Sequence, residues 1–240
     1  MTAAIERGKP MDGASLVSAA IGAITRHIRE NELAPGDKLP SEATLSKELN
    51  VSRTVIREAF QSLAAMRLIE LAAGKRATVC HLDHGAMSLL IEHGVHTEQI
   101  NVQQIYDVRR TIEMRTATLA ALRRTDAEAK LILSHAKAMK AEFNNSEAVM
   151  EHDLAFHLEI AKASRNPIFW LIVGAFQDVI RHTWPVGWKS RPSDAERHDH
   201  NKTHLDLAEA IAAGDPQTAS QLMAKHFDDS IKALLAAGVS

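Results

Sequence analysis

Apolar residues recur every three or four positions along most of this chain, the spacing that gathers them on one face of an α-helix. The first such run predicts a helix over residues 14–29. Two short helical runs follow, with Ser41 and Ser52 as their predicted caps and only Asn50 and Val51 between them. Serine favours a helix start because its hydroxyl accepts a hydrogen bond from the first-turn backbone. The pattern therefore predicts a tightly connected helix pair behind a longer helix.

The pattern changes after the third helix, between residues 68 and 82. Two short apolar stretches flank Gly74 and Lys75, an arrangement typical of a β-hairpin. Three helices followed by a hairpin predict a winged helix-turn-helix domain over residues 12–81.

Residues 82–238 return to helical spacing throughout, and we expect six or seven helices in an all-helical bundle. Helix starts are marked by Thr125 with Glu128, a capping box. Asn166–Pro167 and Asp215–Pro216 each offer a cap followed by proline at the first helical position. The predicted fold class is therefore mostly α, with a winged helix-turn-helix followed by an all-α domain.

Composition indicates where in the cell the protein is found, but says little about its chemistry. The net charge is −2 and the single cysteine, Cys80, excludes an internal disulfide. The N-terminus lacks the apolar core of a secretory signal, and no apolar run is long enough for a membrane helix. We expect a cytoplasmic protein that does not enter a membrane.

Charge becomes informative locally, around the third helix and the hairpin. Residues 52–80 carry five Lys or Arg and two Glu, a local charge of +3 against −2 for the whole chain. Arg53 and Arg57 share one helix face, and arginine can bridge guanine O6 and N7 with two hydrogen bonds. Ser52 and Thr54 can reach phosphates at the helix N-terminus. The alternative is an ordinary helix pair with a charged outer face.

Four polar residues lie on otherwise apolar helix faces in the second half of the chain. Asp153 and His157 are one turn apart, and His204 and His226 lie on two further helices. One carboxylate and three imidazoles suit zinc, nickel, manganese or iron. Each histidine could instead be a satisfied core residue. His200 and His204 could also chelate at the surface; we favour His204 alone, because His200 lies in a polar stretch.

Arg109 is a fifth polar residue on an apolar face. A buried arginine requires an anionic partner. Glu113 or Asp153 could provide it internally, and an anionic ligand could provide it from outside. The sequence does not choose between these partners.

The N-terminal region resembles the DNA-binding domain of GntR-type bacterial transcription regulators. The resemblance runs through PGDKLPSEATLSKELNVSRTVIREAFQSL and is closed by GK at the hairpin tip. It implies a dimer that binds a short palindrome. Operator-contacting positions of the family match Arg53, Thr54, Arg57, Gly74 and Lys75. The chain departs from the family at Ala43, where a DNA-contacting arginine is usual.

The remainder resembles the FCD ligand-binding domain of the FadR-type subfamily. The matching segments are DVRRTIEMRTATLAA, DLAFHLEIAKASRNP and THLDLAEAIAAGDPQTASQLMAKH. The resemblance implies a helical bundle, often with a metal in its cavity. The family's metal ligands match Asp153, His157, His204 and His226, and Arg109 matches an arginine that often meets an effector carboxylate.

Together these patterns predict a transcriptional repressor of a metabolic operon rather than an enzyme. We expect a homodimer on double-stranded palindromic operator DNA. Its effector would be a small carboxylate, a sugar acid or another organic acid, bound beside a divalent metal, with zinc first among the candidates. A regulator that senses the metal itself is the alternative. A metal-dependent hydrolase is more remote, because no HExxH motif is present.

Overall fold

A computed structural model describes residues 13–191 and 193–239. The chain divides into two compact units between Ala86 and Met87. Residue 12, the predicted start of the first domain, lies outside the described residues.

The first unit contains three helices and a short hairpin. Their bounds are α1 Gly13–Glu30, α2 Glu42–Leu49, α3 Arg53–Ala65, β1 Ile69–Glu70 and β2 Thr78–Val79. The two strands are antiparallel, with Ile69 opposite Val79. The predicted winged helix-turn-helix is confirmed, and its core is formed by apolar faces of all three helices together with residues of the hairpin.

The connection between α2 and α3 is short because both helix ends are capped locally. Asn50 ends α2 in the left-handed conformation, at φ 54°, which asparagine tolerates better than most residues. The Ser52 hydroxyl accepts a hydrogen bond from the Val55 amide at 3.3 Å and begins α3. These two caps fix where α3 starts, and hence which side chains occupy its first turn.

The hairpin is tied to the loop that precedes α2. Gly74 at its tip has φ 70°, a conformation that favours glycine. Arg76 turns back from the tip, and its Nε donates to the Leu39 carbonyl at 2.7 Å. A backbone bridge between Lys38 and Thr78 adds to this connection. The wing is therefore attached to the loop that precedes α2 in its own unit.

The chain from Gly85 onward forms eight helices within the described residues. They are α4 Gly85–His96, α5 Val102–Arg123, α6 Asp126–Ala141, α7 Ser146–Ala163, α8 Pro167–Ala175, α9 Gln177–Ser190, α10 Asp194–Ala213 and α11 Pro216–Ala236. The expected six or seven helices were too few. The break between α8 and α9 falls at Phe176, whose backbone angles stay near helical values.

The second unit is an all-helical bundle, as predicted. Helix α5 packs on α7, α10 and α11, and α10 packs on α11. The capping box at the start of α6 is present, with the Thr125 amide donating to Glu128 at 2.8 Å. Within residues 13–191 and 193–239, none of the helices is both long and apolar enough to cross a lipid bilayer.

Candidate functional site

Four buried side chains from three helices of the second unit converge on one point. Asp153 and His157 lie one turn apart on α7, His204 lies on α10 and His226 on α11. Each is at most 4% exposed, and one ligand atom from each lies within 4.8 Å of the others. Ligand bonds of ~2.0–2.2 Å to a central ion would place these atoms roughly 3–4 Å apart. The group is therefore close to the dimensions of a metal site.

The converging atoms are not satisfied by one another. Asp153 Oδ1 lies 2.7 Å from His204 Nε2 and 3.8 Å from His157 Nε2. The closer pair is within ion-pair distance. Among the described residues, Asp153 Oδ1, His157 Nε2, His204 Nε2 and His226 Nδ1 are all buried without a hydrogen-bond partner. Buried polar atoms left unpaired are costly, and a cation at their centre would satisfy all four.

Two of the histidines are oriented by partners on their other ring nitrogen. His204 Nδ1 donates to the His200 carbonyl at 3.0 Å, because a carbonyl can only accept. His157 Nδ1 donates to the buried Glu113 carboxylate. Both rings therefore present an Nε2 lone pair to the cluster, and a carboxylate behind a ligating histidine is a common support for a metal.

Burial and charge together favour the ligand forms of Asp153 and His226. Burial raises the pKa of Asp153, but the adjacent His204 and His157 lower it more, so the pKa lies well below its usual range. Burial, followed by the neighbouring histidines, holds the pKa of His226 well below its ordinary value. An ionised carboxylate and a neutral imidazole are the forms that bind metal ions.

Arg109 has an internal counter-ion in this structure. Its Nε donates to Glu113 Oε1 at 2.8 Å, and both side chains are buried. The guanidinium also lies over the rings of Tyr106 and Phe227, at 5.5 and 5.0 Å from their centroids. Of the partners left open by the sequence, Glu113 is the one in contact, and it joins Arg109 to His157.

A small cavity adjoins the cluster. Arg109, Asp153, His226 and Arg191 are among the residues that line it. The space open to the centre of a water molecule is about 20 Å³, room for roughly one water. An organic acid could enter only if the lining moved.

Two further residues of this region were misjudged or missed in the sequence. His200 lies in a polar stretch of the sequence, and yet it is only 7% exposed and its ring centroid lies 4.8 Å from that of His204. Its i,i+4 spacing to His204 was the available signal. Arg191, 8% exposed, follows the last residue of α9. It follows the end of a helix, where a loop is expected, and no feature of the residue pattern indicates its burial.

The predicted DNA-contacting residues are exposed in the first unit. Ser52, Arg53 and Thr54 occupy the start of α3, and Gly74 and Lys75 form the exposed hairpin tip. One turn along α3, the exposed Arg57 pairs with Glu42 of α2 at 3.2 Å. This exposed ion pair is weak, so DNA could replace it at little cost.

Comparison with known proteins assigns each of the two parts of the chain to a known domain family. Residues 16–79 match the family described as bacterial regulatory proteins, gntR family, and residues 104–229 match the FCD domain. The HTH-type transcriptional regulator LutR of Bacillus subtilis is 30% identical over 203 residues, covering 83% of this chain and 92% of LutR. The HTH-type transcriptional repressor NanR of Escherichia coli K12 is 27% identical, covering 92% of this chain and 85% of NanR.

A solved structure has a similar fold. Streptococcus agalactiae GntR superimposes with a TM-score of 0.66 at 24% identity, over 88% of this chain and 97% of that one.

Proposed function

Because the chain belongs to the GntR family of bacterial regulatory proteins and carries an FCD domain, it is a DNA-binding transcription regulator, and we propose that it is a repressor released from operator DNA by a small organic acid. The acid binds beside a divalent metal in the second unit. The observation that carries this proposal is the group of four converging ligand atoms, buried and without hydrogen-bond partners among the described residues.

On the DNA side, α3 enters the major groove by its N-terminus. Arg53 and Arg57 meet base edges, and Ser52 and Thr54 meet phosphates. The wing tip, Gly74–Lys75, reaches the flanking backbone. A palindromic operator mirrors the two-fold symmetry of a homodimer. The exposure of all these residues supports the assignment.

On the ligand side, Asp153, His157, His204 and His226 hold the metal, with zinc favoured over nickel, manganese and iron. The ion supplies open coordination positions for carboxylate and hydroxyl oxygens. Arg109 faces the same cavity and adds hydrogen bonds to the acid. Glu113 keeps Arg109 and His157 in position while the cavity is closed.

The acid regulates only if it binds more tightly to one arrangement of the dimer than to the other. A coupling free energy of ~1–3 kcal/mol corresponds to a roughly 5–150-fold change in operator affinity.

The experiment begins with DNA selected by the purified protein from a random duplex pool. Operator affinity is then measured by fluorescence anisotropy, with and without each member of a panel of organic acids, on metal-loaded protein. We expect at least one acid to weaken operator binding. The double variant His157→Ala/His226→Ala should lose bound metal by elemental analysis and lose the acid response. His135→Ala, at a half-buried histidine of α6, is the matched control.

Metal retained in full by the double variant would overturn the ligand assignment. An operator affinity insensitive to every acid would overturn the effector.

The small cavity favours a second candidate, a regulator for which the metal itself is the signal. About 20 Å³ is too little space for an organic acid without rearrangement. Titration of operator binding with buffered metal in the absence of any acid separates the two. A change in operator affinity over the metal titration supports metal sensing, and a constant affinity excludes it.

A further inference from the structure

Arg191 is a buried arginine whose described contacts are to neutral atoms. One terminal nitrogen donates to the Gly187 carbonyl at 2.8 Å, and the other donates to His200 Nδ1 at 3.0 Å. Its backbone carbonyl accepts from Arg197 at 3.1 Å, which holds the residue in place. No ion pair within the described part of the chain includes its guanidinium. A buried cation without a counter-ion is costly, so an anion bound at this position would stabilise it.

Arg109 differs from Arg191 in one respect: it is similarly buried, but it is paired with Glu113. Burial acts to lower the pKa of Arg109, yet Glu113, Tyr106 and Asp153 raise it above its ordinary value. Burial lowers the pKa of Arg191, and there the nearby acidic groups do not make up the loss. An incoming carboxylate must share Arg109 with Glu113, whereas Arg191 has no internal competitor in contact.

Arg191 also borders two spaces of the second unit. Together with His200 it lines both the small cavity at the cluster and a larger cleft. The space open to the centre of a water molecule is about 320 Å³ in the cleft and about 20 Å³ in the cavity. A volume of ~300 Å³ or more is typical of small-molecule sites. The guanidinium thus stands where an acid held in the cleft would approach the cluster.

The remaining charges of the cleft restrict the acid that fits. Three carboxylates line it, from Glu196, Asp199 and Asp229, against the cations of Arg191 and Lys232. A second or third carboxylate on the ligand would meet this acidic lining and be repelled. Hydroxyl groups would instead donate hydrogen bonds to it.

Building on the proposed function, we propose that Arg191 is a second effector-binding residue, which anchors the carboxylate of a hydroxylated monocarboxylic acid. The acid's single carboxylate pairs with Arg191 at the edge of the metal cluster, where Arg109 lines the same cavity, and its hydroxyl groups extend into the cleft and meet the carboxylates there.

Isothermal titration calorimetry on the metal-loaded full chain tests this proposal. The probes are D-gluconate and D-galactonate, with D-glucarate and citrate as polycarboxylate counterparts, each tested to millimolar concentration. Arg191→Gln removes the charge while keeping most of the side-chain length. Arg181→Gln removes the same charge from an exposed position of α9 and is the matched control. We expect a monocarboxylate to bind more tightly than either polycarboxylate.

Arg191→Gln should weaken that binding by roughly 10–100-fold, the range for a hydrogen bond to a charged group. Its metal content, measured by elemental analysis, should equal that of Arg181→Gln. An unchanged affinity in Arg191→Gln, or tighter binding of glucarate or citrate, would overturn the proposal. Failure of both monocarboxylates to bind the unmodified chain would overturn it as well.

The operator assay distinguishes this failure from that of the proposed function. If an acid releases the unmodified chain and Arg191→Gln from DNA at the same concentration, only the role of Arg191 is lost. If no acid of any class releases the unmodified chain, the proposed effector control itself is wrong.

Discussion

Replacement of Glu113 by glutamine tests the buried network behind the candidate metal centre. Glu113 is 1% exposed and accepts from two groups, Arg109 Nε at 2.8 Å and His157 Nδ1. Burial alone would raise the pKa of Glu113, but Arg109 and His157 lower it below its ordinary value. Glu113→Gln keeps the shape of the side chain and removes the charge, which leaves Arg109 buried without a counter-ion.

The expected loss follows from the burial of this ion pair. Removing one partner of a buried pair costs ~3–5 kcal/mol. For a unit of ~150–250 residues, each kcal/mol lowers the melting temperature by about 2–4 °C. The transition of the second unit should therefore shift down by roughly 6–20 °C. Metal affinity should fall ~10–100-fold, because His157 loses the group that orients its ring.

Differential scanning calorimetry of metal-free protein measures the stability term separately from metal binding. Asp228→Asn is the control, since it breaks the exposed pair with Arg110, one residue along α5 from Arg109, and should cost at most ~1 kcal/mol. The double variant Arg109→Met/Glu113→Gln should recover much of the loss, because the unpaired charge is gone. If Glu113→Gln melted within the error of Asp228→Asn, the reasoning from a buried ion pair would be refuted.

Three further predictions concern the DNA-binding helix and the start of α6. Arg57→Ala should lose ~1–3 kcal/mol of discrimination at one operator base pair, measured by fluorescence anisotropy on variant operators. The control, Arg29→Ala in α1, should lose none. If Arg57→Ala instead weakened binding equally on all sequences, Arg57 would contact a phosphate rather than a base. Thr125→Ala should lower the free energy of unfolding by ~1 kcal/mol through loss of the cap. Burial raises the pKa of Glu128, but hydrogen bonds from Thr125 lower it below its ordinary value. The stabilisation by Glu128 is therefore present above pH ~4.3 and lost as the pH falls through the lowered pKa. Denaturant melts should show that Glu128→Gln is less stable than the unmodified chain at neutral pH and that the difference shrinks at low pH. A difference in unfolding free energy that stayed the same at low pH would contradict this.

The parts of the fold that sequence predicted well are those determined locally. Ser52, Thr125 and Asp215 cap helices by accepting hydrogen bonds from backbone amides two or three residues ahead, so a short stretch of sequence contains the whole interaction. The break at Phe176 escaped prediction because it depends on packing, and its backbone angles remain near helical values.

The candidate site was predictable in part for the same reason. Helical spacing indicated that Asp153 and His157 share an inward face, and the structure brings them together with His204 and His226. Spacing within a helix carries no information on partners from other helices or beyond a helix end. The burial of Arg191 against His200, and the choice of Glu113 over Asp153 as the partner of Arg109, follow only from tertiary packing.

The attachment of Arg76 to the Leu39 carbonyl has a consequence for ionic strength. Each phosphate neutralised by a protein cation releases condensed counter-ions, and the logarithm of the binding constant falls by ~0.9 per contact for each decade of salt. The hairpin offers two adjacent cations, Lys75 and Arg76, but the second is hydrogen-bonded to the Leu39 carbonyl of the loop before α2. If the wing meets the operator as proposed, each wing should contribute one such contact, and operator binding should tolerate added salt better than a count of the positive residues implies.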